Sequence, residues 1–140
     1  MLTLLKNADL YTPEHKGKKD VLFSETSIIA VEDSIDPGTG SFIETIDASG
    51  CYTVPGFIDN HVHITGGGGE GGYASRTPEI MLSSIIDAGI TTVIGTLGTD
   101  GTTRTMTNLL AKTKGLRDEG ISAYCYTGSY QIPEIGRAHV

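Results

Sequence analysis

Over residues 1–53 the apolar positions come in short runs broken by Pro, Gly, Asp and Ser, the rhythm of brief strands: Leu2–Leu5, Asp9–Tyr11, Asp20–Ser24, Ser27–Val31, Glu44–Asp47 and Cys51–Val54. Val21-Leu22-Phe23 and Ile28-Ile29-Ala30-Val31 carry the most β-branched and large apolar side chains, and Ser24-Glu25-Thr26 between them fits a hairpin turn. Lys16-Gly17-Lys18-Lys19, beside His15, reads as a solvated turn, and Asp33 to Gly40 as an exposed loop. The expectation is a small antiparallel β unit. It is too short to hold much of a core alone and needs something to pack against.

After Val54 the rhythm changes. Phe57 to His63 is a mostly apolar strand announced by Pro55-Gly56. Thr77-Pro78-Glu79 has the form of a helix start, with Ile80, Leu82, Ile85 and Ile86 following and Gly89 stopping it. Thr91–Leu97 is an uncharged β-branched run, as a strand buried on both faces should be. Thr105–Leu116 places Met106, Leu109, Leu110 and Leu116 at helical spacing, and Gly120 ends it before a last strand, Ile121–Tyr126. Strand, helix, strand, helix, strand predicts an α/β unit with parallel pairing and right-handed crossovers.

Ligands of parallel sheets and barrels bind at the carboxyl ends of the strands. The first end carries His61 and His63, which alternation puts on one face with Cα atoms about 6–7 Å apart, close enough for both imidazoles to reach one metal ion. The run Gly66–Gly69, Glu70, Gly71, Gly72 follows. It lacks the Lys-Ser/Thr of a P-loop and the G-x-G-x-x-G spacing, so it is no nucleotide cradle; Glu70 among small residues is placed to take a cation. The second end is Gly95-Thr96-Leu97-Gly98-Thr99-Asp100-Gly101 and the third Thr127-Gly128-Ser129-Tyr130.

Composition narrows the partners. The chain has 140 residues, 38% hydrophobic and 19% charged, with a formal charge of −7, which argues against nucleic acid or an anionic membrane held through a basic surface. Cys51 and Cys125 have no C-x-x-C spacing and read as small buried residues in a reducing compartment, although a disulfide between them remains an alternative. The apolar N-terminus is too short for a signal peptide and no run is long enough to span a membrane, so the cytoplasm is the expected location.

Ile46-Asp47-Ala48-Ser49-Gly50 and Val54-Pro55-Gly56-Phe57-Ile58-Asp59-Asn60-His61-Val62-His63 resemble the entry into the barrel of the amidohydrolase superfamily. Gly66–Gly69 with Glu70, Arg76-Thr77-Pro78-Glu79, Leu97-Gly98-Thr99-Asp100, Leu110-Ala111-Lys112-Thr113 and Thr127-Gly128-Ser129-Tyr130 resemble, more narrowly, the bacterial isoaspartyl dipeptidases. The resemblance implies part of a β-sandwich over 1–53 and the first three strands of a (β/α)8 TIM barrel over 54–134. It implies a cytoplasmic, homo-oligomeric hydrolase of β-aspartyl dipeptides with two zinc ions per site. His61 and His63 would bind the more buried zinc, Glu70 the substrate ammonium, Gly68 and Thr99 its α-carboxylate, and Tyr130 would polarise the scissile carbonyl. The family's other metal ligands and its catalytic base would lie beyond residue 140. Residues 135–140 leave the family pattern and match one reading frame of a sequencing adapter, so a non-native tail and an inactive fragment are expected. The rival readings are a cyclic amidase of dihydroorotase or hydantoinase type, for which Glu70 would have no ammonium to pair with, and a non-catalytic β/α fragment.

Overall fold

The computed structural model describes residues 1–39 and 42–128, which fall into two compact units that divide between Pro55 and Gly56. The first contains strands β1 (Leu2–Tyr11), β2 (His15–Phe23), β3 (Ile28–Glu32), β4 (Ile43–Asp47) and β5 (Tyr52–Thr53) in one sheet of order β3-β2-β1-β4, with β5 also on β1. Pairing is antiparallel between β1 and β2 and between β2 and β3, but β4 and β5 both run parallel to β1. The sheet is therefore mixed, not antiparallel as expected. The hydrophobic rhythm that marks a strand carries no information about its direction.

Two further departures have local causes. Leu2–Leu5 and Asp9–Tyr11 are one strand interrupted by a register shift between Leu5 and Ala8, with Asn7 at a φ of 60°. Asp20 fills this irregularity: it accepts hydrogen bonds from the Asn7 and Ile35 amides, both at 2.9 Å, and pairs with Lys6 at 2.5 Å. It is only 3% exposed, and the Lys6 ammonium, followed by the two amides, lowers its pKa to about 2. Lys16–Lys19 lie within β2 rather than in a turn, Lys18 facing Asp9 and Lys19 facing Ala8 across the ladder. The ladder satisfies their backbone while the aliphatic stems let the charged heads reach water. The core of this unit is small, made by Leu4, Ala8, Leu10, Val21 and Ala48, and Ile28 and Ile29 stand exposed.

The second unit contains β6 (Phe57–Val62), α1 (Leu82–Asp87), β7 (Ile90–Gly95), α2 (Met106–Asp118) and β8 (Ser122–Cys125), the strands parallel in the order β6-β7-β8. Ile64, Ile85, Val93, Leu97, Leu109, Leu116, Ala123 and Cys125 form its core. Thr105 caps α2 by accepting from the Asn108 amide at 3.2 Å. β7 is buried mainly on one side, through Val93 and Gly95, while Ile90, Thr92 and Ile94 are only half-buried. Cys125 is buried, but Cys51 is exposed, against expectation; both thiols are free.

The first helix starts later than Thr77-Pro78 implied, at Leu82. Thr77 is committed elsewhere. Its amide donates to the Gly67 carbonyl at 2.9 Å, and its hydroxyl oxygen accepts from the Gly67 amide at 2.8 Å. A threonine bound in this way to the glycine loop cannot also cap a helix.

Candidate functional site at the strand ends

β6 delivers His61 and His63 to its carboxyl end, where the two rings meet edge to face with centroids 5.5 Å apart. Asp59 accepts the His61 amide at 3.0 Å, and the Gly66 amide closes the turn onto the His63 carbonyl at 2.8 Å. The His63 ring lies between two glycines. A Cβ on Gly67 would come within 3.2 Å of its Cδ2, and one on Gly98 within 3.2 Å of its Nδ1. Side chains at either position would crowd the imidazole. His61, His63, Thr96, Leu97, Gly98 and Thr99 line a cavity of about 420 Å³.

The glycine loop owes its shape to close approaches of backbone to backbone. Gly66 has a φ of +90°, and a Cβ there would sit 2.8 Å from the Pro78 carbonyl oxygen. Gly68 has a φ of +72° and would drive a Cβ into the Ser75 carbonyl. Both combine left-handed dihedrals with no room for a side chain, so glycine is required. The loop turns back on itself and presents Glu70, exposed, beside the end of β7.

There the Thr99 hydroxyl oxygen lies 3.1 Å from Glu70 Oε1 and 3.2 Å from the Gly68 carbonyl oxygen, one hydroxyl proton between two acceptors. Glu70, Thr99, Gly69, Gly72, Tyr73, Asp100 and Thr102 line a second cavity of about 390 Å³. Thr99 borders both cavities. Asp100 accepts from the Thr103 hydroxyl, and from the Thr103 amide at 2.8 Å and the Thr102 amide at 3.1 Å. It also pairs with Arg76 at 3.3 Å. Those bonds, the Thr103 hydroxyl first, hold its carboxyl below the usual carboxylate range. The fold thus groups Gly68, Glu70 and Thr99, and separately pairs His61 with His63. Tyr130 lies outside the described residues.

Sequence reasoning missed Arg104. It is 4% exposed and donates Nε to the Thr65 carbonyl at 3.1 Å, Nη2 to that of Thr77 at 2.8 Å and Nη1 to that of Gly68 at 3.4 Å. Its only signal in the sequence is a lone arginine just before the cap of α2.

A metal ion fits the first cavity on its donor chemistry. His63 Nδ1 is buried with no hydrogen-bond partner among the described residues, and a second imidazole stands beside it in a recess kept open by glycines. Paired imidazoles suit zinc and its neighbours among the divalent transition metals. Among the described residues no third His, Cys, Asp or Glu joins them.

A family profile described as "Amidohydrolase family" matches residues 44–109. The beta-aspartyl dipeptidase of Fervidobacterium islandicum AW-1, solved in complex with beta-Asp-Leu dipeptide, is 49% identical over 96% of this chain and superposes with a TM-score of 0.88. The chain is thus similar to the amidohydrolase family over residues 44–109 and to a beta-aspartyl dipeptidase over nearly its whole length. A second structure of that dipeptidase gives a TM-score of 0.89, also at 49% identity over 96% of the chain. A dihydroorotase from Elusimicrobium minutum is 40% identical over 73 residues, 51% of this chain and 16% of that protein. The chain spans about a third of the two solved dipeptidase chains, 35% and 37%. The three parallel strands, with α1 and α2 between them, are a part of the TIM-barrel fold. Amidohydrolases are in general metal-dependent enzymes, in keeping with the paired histidines. No helix among the described residues is long and apolar enough to cross a membrane.

Proposed function

We propose that this chain supplies the first part of the active site of a zinc-dependent β-aspartyl dipeptidase. The observation that carries the reading is the cluster of Gly68, Glu70 and Thr99 one cavity away from the His61–His63 pair. An anionic side chain next to a hydroxyl and a glycine backbone matches a substrate end bearing both an ammonium and a carboxylate, as the β-aspartyl residue does. The 49% identity to a dipeptidase solved with β-Asp-Leu supports the same substrate class.

In this reading residues 1–53 belong to a β-sandwich and 54–134 to the barrel, and residues 135–140 are a non-native tail. Glu70 receives the α-ammonium, which a carboxylate holds through charge-assisted hydrogen bonds. The Thr99 hydroxyl turns from its two present acceptors toward the substrate α-carboxylate, and the Gly68 amide completes that contact. Tyr130 donates its phenol proton as a hydrogen bond to the developing oxyanion. His61 and His63 hold the more buried of two zinc ions, which when bound would acidify water to near neutral pH and act as Lewis acid on the scissile carbonyl. A catalytic zinc usually takes three protein ligands and the described residues offer the His61–His63 pair, so in this reading the 140-residue chain is inactive by itself and hydrolysis belongs to the complete polypeptide. That polypeptide is proposed to be a cytoplasmic homo-oligomer acting on a small molecule, with no nucleic-acid or membrane partner.

A second reading, hydrolysis of a cyclic amide, draws on the dihydroorotase similarity. A substrate competition separates the two: the complete polypeptide, loaded with zinc, is given β-Asp-Leu and dihydroorotate together. Release of leucine with dihydroorotate untouched supports the dipeptidase; the reverse overturns it.

A further inference from the structure

We propose that Arg104 is a positioning residue for substrate affinity: a buried guanidinium that fixes the glycine loop and, through Gly68 and Thr99, sets the place of Glu70. The inference rests on the dipeptidase reading of Glu70. Burying a charge is costly unless strong hydrogen bonds compensate it, and all three that Arg104 makes among the described residues go to backbone carbonyls. Those carbonyls are not scattered. Thr65 begins the glycine loop, Gly68 lies within it, and Thr77 stands where it returns.

The loop needs such a clamp. Ordering the backbone of each residue costs about 1–2 kcal/mol in entropy, and glycine loses the most. Gly66 and Gly68 hold left-handed dihedrals with no side chain to pack, and the guanidinium adds to the bonds that the His63 carbonyl and Thr77 already make to Gly66 and Gly67. The planar fork of arginine reaches the three carbonyls from three separate nitrogens, whereas the three donors of a lysine all sit on one. Its reach then extends to the site. The Gly68 carbonyl that Arg104 engages is the same one the Thr99 hydroxyl approaches, and Thr99 also touches Glu70 Oε1. The Gly68 oxygen, with two lone pairs, can accept from Arg104 and Thr99 together, so loss of the guanidinium would shift the carbonyl against which the Thr99 hydroxyl is placed. Arg104 touches no reacting atom, so its effect belongs in binding and not in the chemical step.

The test uses Arg104→Lys and Arg104→Ala in the complete, zinc-loaded polypeptide. Contacts made equally in the ground and transition states move KM and leave kcat alone. The expected result is a KM for β-Asp-Leu raised about tenfold or more in both variants, kcat within about threefold, and zinc content unchanged. Added ethylguanidinium should lower the KM of Arg104→Ala and not that of Arg104→Lys, a rescue that general destabilisation would not show. Hydrogen exchange at Gly67–Gly72, which needs no activity, should quicken in both variants. Unchanged exchange, or a fall in kcat at constant KM, overturns the proposal. Failure of the unsubstituted polypeptide to cleave β-Asp-Leu would instead strike the dipeptidase reading, and the exchange measurement would still decide whether Arg104 clamps the loop.

Discussion

Replacing Glu70 with glutamine removes one charge and little else. The side chain keeps its length, its amide oxygen can still accept from Thr99 at the present 3.1 Å, and the cavity of about 390 Å³ keeps its volume. What disappears is the charge on the acceptor for the substrate ammonium. Hydrogen bonds to charged groups contribute about 1.5–3 kcal/mol, or roughly 10- to 150-fold in kcat/KM at about 1.4 kcal/mol per factor of ten. Glu70 is exposed before substrate arrives, and water screens such pairs, so the lower end applies: a loss of about tenfold. Steady-state kinetics with β-Asp-Leu on the complete, zinc-loaded polypeptide measures this, with Thr99→Val as a companion that removes the hydroxyl shared by the substrate carboxylate and Glu70 Oε1 while keeping the Glu70 charge. Glu70→Gln with an unchanged kcat/KM would refute the assignment and turn attention to substrates without an ammonium.

Other consequences can be checked directly. His61→Ala and His63→Ala should each lower bound zinc, read by atomic emission, and abolish hydrolysis; a double variant with full zinc and activity would remove the metal assignment. Asp20, with its pKa lowered to about 2, stabilises the fold at pH values above its unfolded pKa near 3.8, and that contribution is lost as pH falls through about 2. The shift corresponds to at most about 2.5 kcal/mol, so Asp20→Asn should lower the melting temperature at pH 7 and have little effect near pH 2.

The parts of the fold legible in the sequence were those decided by local pattern. Ile90–Gly95 and Ser122–Cys125 read as strands from their own short uncharged runs, and Met106–Asp118 as a helix from the spacing of Met106, Leu109, Leu110 and Leu116, of which Leu109 and Leu116 are buried. Where a residue's partner is distant, local reading failed. Thr77 looks like a helix cap, yet it bonds to Gly67, ten residues back. Arg104 was invisible for the same reason: its carbonyl partners lie 39, 36 and 27 residues away, and a carbonyl leaves no mark on residue identity. Strand direction in the first unit was hidden too, since β4 pairs with β1 across more than thirty intervening residues with the same alternation either orientation would need. The histidine pair and Glu70 were visible because their chemistry resides in their side chains.

The central claim is that the His61–His63 end and the Gly68–Glu70–Thr99 cluster together serve hydrolysis of a β-aspartyl bond. The most direct measurement is leucine release from β-Asp-Leu and from its α-linked isomer by the complete polypeptide, before and after chelator treatment and again on re-addition of zinc. The account predicts cleavage of the β-linked dipeptide, little of the α-linked one, loss of activity with the metal and its return with zinc. Equal cleavage of both isomers, or activity indifferent to chelation, would contradict it.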